Sequence, residues 1–228
     1  MGSGLATTTH PTLLRRWTAW VTLGEFLGFC LPSVTAALVW DRSTWLMVPA
    51  VTVAGAGEGA VLGWSQTRVL RRELAAFSVR RWVGLTAAGA AFAWFVGMIP
   101  STTFETWSAW PPVALVAAGA ALAGLLLVSI GTAQWFELHR HVEDAGLWVA
   151  ATAFAWALGL SVFGAVTSPL WQPGQSTALV VAIGVLGGLV MAFTMALTTG
   201  WAMRRLVTRT SRTPSPDRRE RHHDPVHR

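Results

Sequence analysis

The chain has 228 residues, of which 53% are hydrophobic and 12% are charged. A soluble domain carries roughly 25% charged residues, so this composition indicates an integral membrane protein rather than a soluble enzyme. All 17 basic residues are arginine, which excludes cofactors held as a lysine Schiff base. The net charge of +6 comes from arginines that flank apolar runs, so we expect no nucleic-acid partner.

Six apolar segments are long enough to cross about 30 Å of hydrocarbon as helices that rise 1.5 Å per residue. In chain order they are Trp17–Trp40, Trp45–Trp64, Trp82–Pro100, Val113–Trp135, Leu147–Val166 and Thr177–Met203. Tryptophans cluster near the ends of these segments, as interfacial anchors do. The sequence therefore predicts an all-α integral membrane protein with six transmembrane helices and the bilayer as its main partner. Residues 15–207 form this domain, residues 1–14 an N-terminal tail, and residues 208–228 a disordered tail rich in arginine.

The arginines predict the orientation of the chain in the membrane. Sixteen of the 17 fall on one side if both termini face the cytoplasm, and only Arg42 falls on the other side. Cytoplasmic loops carry the excess of arginine, so we expect both termini to be cytoplasmic. The C-terminal arginines are suited to anionic lipid headgroups. The alternative is a tail whose charge serves orientation alone.

An internal repeat with a period of about 65 residues divides the domain into three helical hairpins, at residues 15–72, 80–140 and 146–207. The odd-numbered spans begin with Trp17, Trp82 and Trp148. The even-numbered spans end with a small residue followed three positions later by Gln66, Gln134 or Thr199. Two spans per unit return the chain to the same side, so this spacing predicts three parallel hairpin repeats.

The two motifs at the hairpin junctions carry a resemblance. The pattern G-x-x-Q-x-x-x-L-x-R closes the second and fourth spans, and W-V-x-x-T opens the third and fifth. This arrangement resembles that of uncharacterised multi-pass membrane proteins encoded in bacterial genomes. The resemblance implies a bacterial inner-membrane setting and brings no activity with it.

Two carboxylates, Glu25 and Glu58, lie within the predicted spans. Each is eight residues, or about 12 Å, from the cytoplasmic border, and neither has an acidic equivalent in the other two repeats. An ionised acid at this depth costs several kcal/mol unless it is paired, solvated or protonated. We expect the pair to line an intramembrane polar site that binds a proton, a cation or a cationic solute. The alternative is that each acid is neutral or hydrogen-bonded and only packs.

The other polar residues give weaker signals. Gln66, Gln134 and Thr199 recur with the repeat, which favours hydrogen bonds between hairpins, although these residues also qualify as the border of the polar site. His139 and His141 in the inner loop are two residues apart and do not share a helix face. We therefore expect a solvated turn there and no metal site.

Motifs for catalysis are missing from the sequence. It contains no phosphate-binding loop with lysine, no H-E-x-x-H, no C-x-x-C and no G-x-S-x-G. We expect neither a cofactor nor an enzymatic activity. The best interpretation is a membrane protein of transport or solute- and ion-binding type. The alternatives are an accessory or scaffold subunit of a larger membrane complex, with a protein partner, and an intramembrane enzyme acting on lipid.

Overall fold

A computed structural model describes residues 10–39 and 41–210. Its elements, numbered in chain order, are α1 (His10–Val39), α2 (Thr44–Glu73), α3 (Val79–Thr102), the short α4 (Phe104–Trp107), α5 (Pro112–Leu138), α6 (Gly146–Thr167) and α7 (Thr177–Thr210). No strand occurs among the described residues. Six of the helices are long and apolar enough to cross a membrane, so the prediction of an all-α protein with six such helices is confirmed.

Most of the long helices extend beyond the predicted spans. α1 already begins at His10 and α7 continues to Thr210, because a helix satisfies its own backbone hydrogen bonds and can project through the headgroup layer. α1 and α7 therefore include residues 10–14 and 208–210 of the predicted tails. The other tail residues, 1–9 and 211–228, lie outside the described part of the chain. The connections are short and locally stabilised. Ser78, for example, precedes α3 and accepts a hydrogen bond from the backbone N–H of Arg81 at 3.4 Å.

The six long helices form a closed ring in chain order. Each packs against its neighbours in the sequence, with α3 followed by α5, and α7 packs back onto α1. Small residues allow the close approaches. A Cβ atom on Gly59 would lie 2.6 Å from the Ala90 Cβ, and one on Gly89 would lie 2.9 Å from the Ile130 Cα. Gly55, Gly59 and Gly63 are four residues apart on one face of α2, and this face contacts α3.

The two ends of the ring are packed differently. We call the end at which α1 begins and α7 ends the base, and the opposite end the far end. The main buried cluster lies at the base and includes three fully buried indoles, Trp17, Trp82 and Trp148. Towards the far end α5 packs less tightly against its neighbours: only 11% of its most apolar stretch is buried. The fold therefore closes the base and leaves space between the helices farther along.

Candidate functional site

Glu25 of α1 and Glu58 of α2 lie side by side inside the ring. Their exposed fractions are 0% and 3%, and their carboxyl groups interact with each other directly. Gly28 makes this approach possible, because a Cβ atom there would lie 3.0 Å from the Glu58 carbonyl oxygen. The structure thus brings together two acids that are 33 positions apart in the sequence.

The two carboxyl groups differ in their other partners. The indole Nε1 of Trp94, on α3, donates a hydrogen bond to Glu58 Oε2. Neither oxygen of Glu25 receives a hydrogen bond from an N–H or O–H donor among the described residues. A buried carboxyl without a donor is costly. A proton held between Glu25 and Glu58 would supply the missing hydrogen bond, because like charges this close cannot both be ionised cheaply.

A cavity of about 190 Å³ begins at Glu58. Three aromatic side chains line it: Phe29 of α1, Trp94 of α3 and Trp156 of α6. Its remaining walls come from apolar residues and one glycine, including Ala93, Gly97, Leu126 and Leu160. Along α3 the lining runs from Ala90 to Met98, a height of about 12 Å towards the far end. Glu58 is the only ionisable residue in this lining.

Two further unpartnered polar groups lie on the same face of α1 as Glu25. Thr18 and Thr22 precede it by seven and three residues, a spacing that places all three on one helix face. Their hydroxyl oxygens are buried and have no hydrogen-bond partner among the described residues. Thr86, by contrast, donates to the carbonyl four residues earlier at 2.8 Å, as a helical threonine usually can. The unpartnered hydroxyls form a polar line from the base towards Glu25.

A layer of hydrogen-bonded tryptophans separates the acids from the base. Trp82 Nε1 donates to Gln66 Oε1 at 2.9 Å, and Trp148 Nε1 donates to Gln134 Oε1 at 2.8 Å. Gln134 Nε2 in turn donates to Gln66 Oε1 at 2.8 Å. On the other side of the ring Trp17 Nε1 donates to Thr199 Oγ1 at 3.0 Å.

These groups are placed to join helices rather than to contact a solute. Each bond donated by a tryptophan links the second helix of one predicted hairpin to the first helix of the next, and the third hairpin is linked back to the first in the same way. The glutamines and Thr199 are buried, and none of the three lines the cavity.

Sequence reasoning missed Glu137, because the predicted fourth span ended at Trp135. Glu137 is 2% exposed and lies at the base. Its carboxylate accepts a hydrogen bond from the backbone N–H of Ser78 at 3.1 Å and pairs with Arg81 at 3.3 Å and His141 at 3.0 Å. The inner loop predicted to be a solvated turn is therefore linked to the start of α3 through Glu137, because His141 and Arg81 pair with the same carboxylate. The sequence did contain a signal for this pair: Glu137 lies four residues before His141, a spacing at which an acid and a histidine can pair on a helix.

Sequence reasoning also missed the aromatic part of the cavity. Trp94 and Trp156 lie in the middle of their spans, unlike the tryptophans at the borders. This position was the available signal, since a mid-span indole N–H needs a buried acceptor. For Trp94 the acceptor is Glu58, and this depends on how α2 and α3 pack.

Comparisons with known proteins add no further information on the site. No protein-family model, curated protein or solved structure matches this chain. What the site can bind is therefore judged from its own residues: the Glu25–Glu58 pair, the three aromatic rings and the apolar walls.

Proposed function

We propose that this chain is a multi-pass membrane protein of transport or solute-binding type whose cavity binds a small, weakly hydrated organic cation against Glu58. One observation carries the proposal: a single carboxyl group lies with three aromatic side chains in an otherwise apolar cavity inside the ring. Aromatic faces attract cations, and quaternary ammonium groups are commonly held in such surroundings. The volume of about 190 Å³ is below the roughly 300–1,000 Å³ of pockets for drug-sized ligands, which favours a small solute.

The walls disfavour a hydrated metal ion as the occupant. Divalent ions such as calcium need six or more oxygen ligands, whereas the cavity offers one carboxyl group and otherwise apolar or aromatic side chains. In an organic cation, alkyl groups surround the charge, so the ion is weakly hydrated. It therefore loses less hydration on entering an apolar cavity and makes van der Waals contact with Phe29 and Trp156.

We propose that cation binding is coupled to a proton on the Glu25–Glu58 pair. A shared proton stabilises the pair while the cavity is empty, since neither oxygen of Glu25 has another described donor. A cation beside Glu58 favours the ionised form and releases that proton. The line formed by Thr18, Thr22 and Glu25 on one face of α1 is suited to carry the proton towards the base through bridging water.

The remaining predictions about architecture belong to this proposal. We infer three parallel hairpin repeats, and the recurring bonds from Trp82 to Gln66 and from Trp148 to Gln134 support them. We also propose that the chain lies in the bacterial cytoplasmic membrane with both termini inside, which the distribution of arginine supports. The cavity then faces outward, because the tryptophan layer closes the base.

The test is calorimetric titration of the purified protein with choline and with its uncharged carbon isostere dimethylbutanol. We expect choline alone to bind, and Glu58→Gln to weaken binding at least tenfold, about 1.4 kcal/mol. Glu105→Gln, in exposed α4, removes an acid outside the cavity and serves as the matched control. In weak buffer, choline should release protons from the wild-type protein but not from the double variant Glu25→Gln with Glu58→Gln. Equal binding of the two ligands, or unchanged affinity in Glu58→Gln, would refute the proposal.

The exposed apolar surface of α5 favours the alternative that the chain is an accessory subunit. α5 has the highest mean hydropathy of the six long helices, 2.5, and the smallest buried share of its apolar stretch. Cβ atoms on Gly119 and Gly124 would meet nothing within 4 Å, so this helix has room for a close helix partner. Replacing both glycines by leucine should disperse a complex isolated from membranes if α5 is the interface, and should leave choline binding unchanged.

A further inference from the structure

A second concave surface lies between α1 and α7, at the base half of the ring. This groove has a volume of about 650 Å³ and shares no lining residue with the cavity at Glu58. Its walls are mostly apolar and include Ala19, Phe26 and Phe193. Arg15 of α1 and Arg204 of α7 line its end nearest the base.

The two arginines are available to an anion. The guanidinium of Arg204 lies 4.2 Å from the centroid of the Trp201 ring, which orients it while its N–H groups at the edge remain able to donate. The described carboxylates that form ion pairs near the base are those of Glu137 and Asp144, and neither pairs with Arg15 or Arg204. The charge at this end of the groove is therefore not neutralised by an ion pair within the described chain.

The groove has the depth of a lipid leaflet. From Arg15 to Phe26 the α1 wall descends about 16 Å, at 1.5 Å per residue. Half of a hydrocarbon core of about 30 Å is about 15 Å. A phosphate held between the arginines would therefore leave an acyl chain lying along the apolar walls.

We propose that the groove between α1 and α7 binds one phospholipid with an anionic headgroup, taken from the leaflet at the base. Arg15 and Arg204 hold the headgroup with charge-assisted hydrogen bonds, and the acyl chain fills the apolar part beside Ala19 and Phe193. The groove shares no lining residue with the proposed cation cavity, although Thr18 and Thr22 of the polar line on α1 lie along its wall. It also differs from non-specific attraction by the C-terminal arginines, because it has a shape as well as a charge.

Native mass spectrometry of the full chain in detergent tests the site, with phosphatidylglycerol and phosphatidylcholine of identical acyl chains as probes. We expect one phosphatidylglycerol to bind more tightly than phosphatidylcholine. Replacing Arg15 and Arg204 by glutamine should weaken its binding about 30-fold, equivalent to about 2 kcal/mol for two arginines near the membrane surface. The control variant changes Arg71 and Arg72 to glutamine; these exposed residues at the end of α2 give the same loss of charge, and binding should be retained.

Further arms distinguish the headgroup from the acyl chain and from other occupants. Glycerol phosphate should not displace the lipid at equal concentration, because it lacks an acyl chain. Ala19→Trp, which fills the groove, should weaken both lipids while circular dichroism shows an unchanged helix content. Equal loss in the two arginine variants, or displacement by glycerol phosphate, would overturn the proposal. So would a dimer that Ala19→Trp dissociates without loss of bound lipid, because the groove would then hold a second copy of the chain.

Discussion

Gln134→Leu tests whether the tryptophan layer holds the ring together. Gln134 is fully buried and takes part in three hydrogen bonds: it accepts from Trp148 and donates to Gln66 and Thr86. Side-chain hydrogen bonds between membrane helices contribute about 0.6 kcal/mol on average and up to about 1.7 kcal/mol. Three such bonds predict a loss of about 2–5 kcal/mol in the free energy of unfolding. The upper part of this range applies if the Trp148 N–H stays without an acceptor.

Titration of mixed micelles with sodium dodecyl sulfate, followed by circular dichroism, measures that free energy. The matched control is Gln172→Leu in the exposed loop before α7, where the side chain donates to the nearby Pro169 carbonyl oxygen at 3.1 Å. A double-mutant cycle of Gln134→Leu with Trp148→Phe should give a coupling of about 0.6–1.7 kcal/mol. A loss in Gln134→Leu no larger than that of the control would show that the layer does not stabilise the ring, and would refute the reasoning.

Two further predictions contrast matched positions. Gly59→Ala places a Cβ atom 2.6 Å from the Thr86 carbonyl oxygen, so we expect destabilisation of about 1–3 kcal/mol, whereas Gly84→Ala, with nothing within 4 Å, should be neutral or slightly stabilising. Similar unfolding midpoints for the two variants would contradict the observed packing of α2 on α3. Thr22→Val removes a hydroxyl without a described partner and should leave stability within about 0.5 kcal/mol of wild type, while Thr86→Val should lose about 0.6–1.7 kcal/mol with its bond from Gln134. A larger loss in Thr22→Val would mean that its hydroxyl is hydrogen-bonded in the membrane.

Glu25 and Glu58 are the residues of the candidate site that could be predicted from the sequence. Glu25 and Glu58 were identified because carboxylates are rare and costly within apolar spans, and this cost depends on local composition alone. Their similar depth followed from residues counted from the cytoplasmic border along the two helices. Trp94 and Phe29 were not identified, because an aromatic residue in an apolar span has the same pattern whether it faces lipid, packs in the core or lines a cavity. Only the packing of α1, α2, α3 and α6 distinguishes these cases.

The sequence by itself determined the class of the protein and its six long helices, because a helix in an apolar solvent must satisfy its own backbone groups and needs a fixed length of apolar chain to cross it. The tertiary structure decided the order of helices around the ring, the bonding of Trp82 and Trp148 to glutamines of the preceding helices, and the joining of Glu58 to Trp94. These depend on helix rotation and crossing. An apolar helix face is equally stable against lipid and against another helix, so hydropathy alone does not determine the rotation and crossing of the helices.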